Sequence, residues 1–118
     1  MRALRIFVVE DEGLIALMIE DMLEDLGCEV AGSVSTVSQA LGWLAEGGQL
    51  DGALLDVNLG GEHVFPIAEA LTARGAPFAF TTGYGEIPDP RFTAAPMLGK
   101  PIRREALADV LRAFGLEG

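Results

Sequence analysis

The chain has 118 residues, half of them apolar, with a single cysteine and a formal charge of -10 at neutral pH. That length suits one hydrophobic core and leaves no room for a second domain, and the lone Cys28 excludes a disulfide framework or cysteine-rich metal site, fitting a small buried residue in a reducing compartment. The negative charge, relieved only by the pair Arg103 and Arg104, disfavours a nucleic-acid partner, and the opening MRALRIFVVEDE has too short an apolar run for a signal peptide or membrane span, so a cytoplasmic protein is expected.

Leu4 to Val9 is apolar apart from Arg5 and reads as a buried strand. From Glu12 to Leu26 the apolar Leu14, Ile15, Met18, Met22, Leu23 and Leu26 recur at helical spacing, with Glu20, Asp21, Glu24 and Asp25 on the polar side and Gly27 as the stop. Val30 to Val34 reads as a strand and Thr36 to Glu46 as a helix ended by Gly47 and Gly48. Ala53 to Val57 is a third strand carrying one acid, Asp56, and Glu62 to Arg74 a third helix closed by Gly75. Pro77 to Thr81 and the short Pro96 to Leu98 complete the strands, and Arg103 to Phe114 is the last helix. Strands alternating with helices imply right-handed crossovers and a parallel sheet covered on both faces. Between the last two strands, Gly85 to Ala95 contains Pro88 and Pro90, so the fourth helix is expected to be short, irregular or mobile. The chain ends four residues past Phe114, and the expectation is a single domain without an output module.

Ligands of an open parallel sheet gather beyond the carboxyl ends of its strands. Glu10, Asp11 and Glu12 follow strand one, Asp56 and Asn58 close strand three, Thr81 and Thr82 close strand four, and Lys100 follows strand five. Such a set suits phosphoryl transfer to a carboxylate. Magnesium prefers hard oxygen ligands, so Asp11 and Asp56 are candidate direct ligands, Glu10 a ligand through water and the Asn58 backbone carbonyl a third protein oxygen. Asp56 is the natural nucleophile, forming an acyl phosphate, while Thr82 would donate to a phosphoryl oxygen and Lys100 neutralise another. Thr81 and Thr82 point to opposite faces, and the following Gly83 favours Thr82 as the one reaching the crevice.

Plainer readings stand beside these. Acids before a helix can simply complement its dipole, which is the reading for Glu12. Asp51, the decoy for Asp56, lies five strand residues away, at about 3.3 Å each, near the opposite edge of the sheet. His63 reads as a surface residue early in a helix and Trp43 as packing. TTGYG lacks the lysine and helix of a phosphate-binding P-loop, though Tyr84 could border the pocket. Lys100 is the only lysine beside seven arginines, and a compact ammonium enters a tight carboxylate pocket more readily than a guanidinium.

FVVEDE, ALLDVN, TTG and LGKP, at these intervals and over essentially the whole chain, resemble the receiver domain of bacterial response regulators. The resemblance implies a flavodoxin-like doubly wound sheet of order 2-1-3-4-5, a Mg2+ cofactor, phosphorylation of Asp56 by a sensor histidine kinase or histidine phosphotransfer protein, and a cis Lys100–Pro101 peptide. GAPFAFTTGYG and DVNLGGE further resemble the FATGUY subset of single-domain receivers, with Thr81 where alanine is usual, which implies partners among a distinctive class of sensor kinases. Two departures stand out. Gly60 and Gly61 occupy the place of a usual proline, so that loop is expected to be looser, and Met97 replaces the aromatic that commonly rotates inward on activation. The expected response is therefore an ordering of Gly85 to Ala95. The expected function is a phosphate shuttle, sink or protein-binding switch, with phosphotransfer only onto and off itself; the alternative is a phosphorylation-independent adaptor on the same fold. A flavin carrier is disfavoured because EDE would repel the flavin phosphate, and an enzyme with an external substrate because no general base is left over.

Overall fold

The computed structural model describes residues 3–83, 92 and 94–116. In chain order the elements are β1 (Arg5–Val9), α1 (Gly13–Asp25), β2 (Glu29–Val34), α2 (Val37–Ala45), β3 (Gly52–Asp56), β4 (Asn58–Leu59), β5 (Glu62–His63), α3 (Phe65–Arg74), β6 (Phe78–Thr82), β7 (Met97–Gly99) and α4 (Arg104–Phe114). Five strands form a parallel sheet of order β2-β1-β3-β6-β7. With β4 and β5 set aside as a separate ribbon, this is the 2-1-3-4-5 order that the resemblance implies.

Both faces of the sheet are covered, which is why its central strands read as unbroken apolar runs rather than alternating ones. Phe7, Val9, Ala53, Leu55 and Phe80 face one cluster with Ala40 and Leu44 of α2 and Ile67, Ala68 and Leu71 of α3. Ile6, Val8, Leu54, Ala79 and Leu98 face the other, with Ile19 and Leu23 of α1 and Leu107, Val110 and Leu111 of α4. Thr36 caps α2 by accepting the Gln39 N–H at 3.1 Å. Trp43 is packing, as read from its spacing: its ring stacks on Phe7 at 4.1 Å, and a Cβ on Gly48 would come within 2.5 Å of it. Cys28 is a buried free thiol, and burial pushes it up from its ordinary range. Among the described residues no helix is long and apolar enough to cross a membrane.

Two expectations change. The third helix begins at Phe65, not Glu62, because Glu62 and His63 pair antiparallel with Leu59 and Asn58. Pro66 enforces the later start: it is tolerated in a first turn, whereas four residues into a helix it would lack its N–H and strike the Glu62 carbonyl. His63 therefore sits on a strand rather than a helix, and Gly60 and Gly61, both at positive φ, form the turn of the hairpin. The expected fourth helix, the ordering switch over Gly85 to Ala95 and Tyr84 fall mostly or wholly outside the described residues. Of that crossover, Phe92 is buried against Phe65, Phe78 and Phe80.

Candidate functional site

Strand alternation and parallel register bring three distant residues together. Glu10 continues the Ile6–Val8 side of β1, Asp56 follows Leu54 on β3, and Lys100 follows Leu98 beyond β7, so all three extend the face that packs on α1 and α4. Contacts agree with the alternation. Lys100 Nζ lies 2.9 Å from Glu10 Oε1 and 3.3 Å from Asp56 Oδ1. Each carboxylate also takes a backbone donor: Glu10 Oε2 accepts the Glu12 N–H at 3.1 Å and Asp56 Oδ1 the Asn58 N–H at 3.2 Å. Lys100 is held in turn by β6, its N–H donating to the Thr82 carbonyl at 2.9 Å, and it precedes Pro101 through a cis peptide.

Asp11 is exposed, yet one of its carboxylate oxygens lies within 4.8 Å of oxygens from the buried Glu10 and Asp56. Three carboxylates thus face one ammonium. The Asp56 carboxyl is pushed up to about 7, first by burial and then by the hydrogen bond and charge of Glu10, against the downward pull of the Asn58 N–H and Lys100. For Lys100, burial works against the charge, but Glu10 and Asp56 outweigh it and hold the ammonium above its ordinary range. Glu10 Oε1 is buried and its charged neighbour is the Lys100 ammonium, 2.9 Å away. Excess negative charge and a cluster of hard oxygen donors fit a magnesium ion.

The other candidates divide by position. Asp51 ends up just before β3, where its Oδ2 accepts the Arg5 N–H at 2.8 Å, far along the strand from Asp56. Thr81 stands in register with Asp56, and Thr82 is the last residue of β6, in register with Gly99. Both are buried; alternation puts Thr81 on the Ala79 face and Thr82 on the Phe80 face. Met97, in register with Phe80, packs on the α2–α3 side. His63 is exposed and stacks on Phe65 at 6.0 Å. Sequence reasoning did not find the Glu10–Lys100 ion pair or the burial of Phe92, since neither leaves a local periodicity.

No protein-family model matches the chain. SdrG from Sphingomonas melonis Fr1 is 46% identical, with a TM-score of 0.85 over 98% of this chain and 100% of that one. A second SdrG structure, described as the BeF3-activated conformation from Pseudomonas melonis Fr1, is likewise 46% identical over 98% of this chain and all of that one, with a TM-score of 0.80. The phyllosphere-induced regulator PhyR of Methylorubrum extorquens is 29% identical over 117 residues; these cover 92% of this chain but only 42% of that regulator's length.

Proposed function

Since the chain belongs to the receiver domains of response regulators, we propose that it accepts a phosphoryl group on Asp56 from a phosphohistidine of a histidine kinase or phosphotransfer protein, and signals through protein contacts. The observation that carries this reading is the placement of Asp56: a carboxylate 3% exposed at the end of β3, 3.3 Å from the Lys100 ammonium and beside Glu10 and Asp11. A buried acid in such company is poised for chemistry rather than for packing.

In the proposed reaction an ionised Asp56 oxygen attacks phosphorus, the P–N bond breaks, and the imidazole nitrogen keeps the electron pair. Ionisation is the first requirement, and the Asn58 N–H and Lys100 favour it. Asp11, Asp56 and the Asn58 carbonyl would hold Mg2+ directly and Glu10 through water; when bound, the ion supplies neutralising charge between these acids and the phosphoryl oxygens. Lys100 neutralises one phosphoryl oxygen and a hydroxyl at the end of β6 donates to another: Thr82 in the reading of the sequence, whereas strand alternation puts Thr81 on the face of Asp56. The product is a mixed anhydride that water can cleave, so the signal is reversible at the same residue. The BeF3-activated state of SdrG supports a response of this type.

The test is incubation with a small acyl phosphate and Mg2+, followed by intact mass. One added phosphoryl group is expected, and none in Asp56→Asn. No gain in the wild type, or an equal gain in the variant, would overturn the reading; unchanged partner binding by Asp56→Asn would instead favour an adaptor that does not use phosphate.

A further inference from the structure

We infer that the hairpin β4–β5, with Gly60 and Gly61 as its turn, aims the Asn58 carbonyl into the acidic crevice, which makes the two glycines positioning residues for the cation. The inference rests on the receiver reading for the cation itself and on the register of the hairpin for the rest.

Gly60 and Gly61 have φ of 59° and 91°. Left-handed values at both central positions define a type I′ turn, which glycine and, less readily, asparagine or aspartate adopt. A two-residue turn makes Leu59 and Glu62 the pair that exchanges backbone hydrogen bonds. Asn58 and His63, the next pair along, are then the non-bonded kind, whose backbone groups point away from the partner strand. The Asn58 N–H does so, donating to Asp56 Oδ1 at 3.2 Å. On a strand, the N–H and C=O of one residue point the same way. The Asn58 carbonyl is accordingly directed to the side of Asp56, free of the ladder.

Further contacts hold that register. The Asn58 side chain accepts the Gly61 N–H through Oδ1 at 3.2 Å, closing the turn from inside. Leu59 and Val64 are buried in the α2–α3 cluster and anchor the two arms. At the tip, a Cβ on Gly60 would lie 3.6 Å from Asp11 Oδ2, so the turn closes against the exposed carboxylate of the cluster. A one-residue slip would turn the Asn58 carbonyl into the ribbon. Proline at position 60 would hold φ near about -65° and cannot occupy this turn.

The test titrates magnesium alone into the full chain, with calorimetry for affinity and the Asn58 carbonyl-carbon chemical shift for geometry. In the wild type the shift is expected to move with saturation. Gly60→Asn, which a type I′ turn accepts, should keep the affinity within about twofold, whereas Gly60→Pro and Gly61→Val should lose about tenfold or more. At saturating magnesium all of them should still gain a phosphoryl group on Asp56. Wild-type affinity in Gly60→Pro, or an Asn58 carbonyl shift indifferent to magnesium, would overturn the inference and leave the receiver reading standing. Absence of phosphoryl gain in the wild type would remove the receiver reading instead. Should Gly60→Pro prove unfolded by circular dichroism, the wild-type carbonyl shift decides alone.

Discussion

Asp56 is held between two demands, since burial favours its neutral form while a nucleophile must be ionised. In magnesium-free protein its carboxyl stands at about 7 against an ordinary 3.8. Between those values the folded chain holds a proton that the unfolded chain has released, so stability falls as pH rises through the window and the loss is complete above about 7. Asp56→Asn cannot ionise and should escape this loss. Melting temperatures in chelator at about pH 5 and about pH 8 should drop further for the wild type than for the variant; equal drops would reject the argument. Excess magnesium should flatten the wild-type slope by binding the ionised site. Lys100 acts on the same balance from the other side. Lys100→Met leaves Glu10 and Asp56 facing each other as like charges, and an NMR titration of the Asp56 carboxyl carbon should then move upward; an unchanged midpoint would show that Lys100 is too well hydrated to matter.

Among the elements, the hairpin and the crossover before β7 were the least legible in the sequence. GEHVFPIAEALTAR has apolar residues at helical spacing through Arg74, but periodicity alone cannot separate a helix from two ribbon residues leading into one. The decision came from the glycine turn and from Pro66, which together leave Glu62 and His63 to pair backward. In the crossover, prolines marked an interruption without indicating what would hold it. Phe92, one of its described residues, is buried: its ring contacts Phe65 of α3 and Phe78 and Phe80 of β6, with centroids 5.8, 6.0 and 6.1 Å away. Phe92→Ala should cost about 3 kcal/mol in urea unfolding, the loss typical of a large core aromatic. A cost of about 0.5 kcal/mol or less, the level of a surface change, would mean that the Phe92 ring contributes little to the core.

At the scale of the whole molecule the charge of -10 acts on the site from a distance. The protein measures 35 × 31 × 27 Å, comparable to the screening length of about 30 Å at 0.01 M salt and well beyond the roughly 10 Å at 0.1 M. Magnesium should therefore bind several-fold more weakly at the higher ionic strength by calorimetry; a constant affinity would mean that only the carboxylates in the crevice are felt. The sequence by itself determined the alternation of strands and helices and the acids at the ends of β1 and β3, because periodicity and strand-end polarity are local properties of the chain. Only the tertiary structure decided that Lys100 pairs with both Glu10 and Asp56, that the glycines after Asp56 close a hairpin, and that Phe92 is buried against Phe65. Those outcomes depend on which strands lie side by side and on what each turn excludes. Sheet register, not sequence spacing, joins residues that are far apart in the chain.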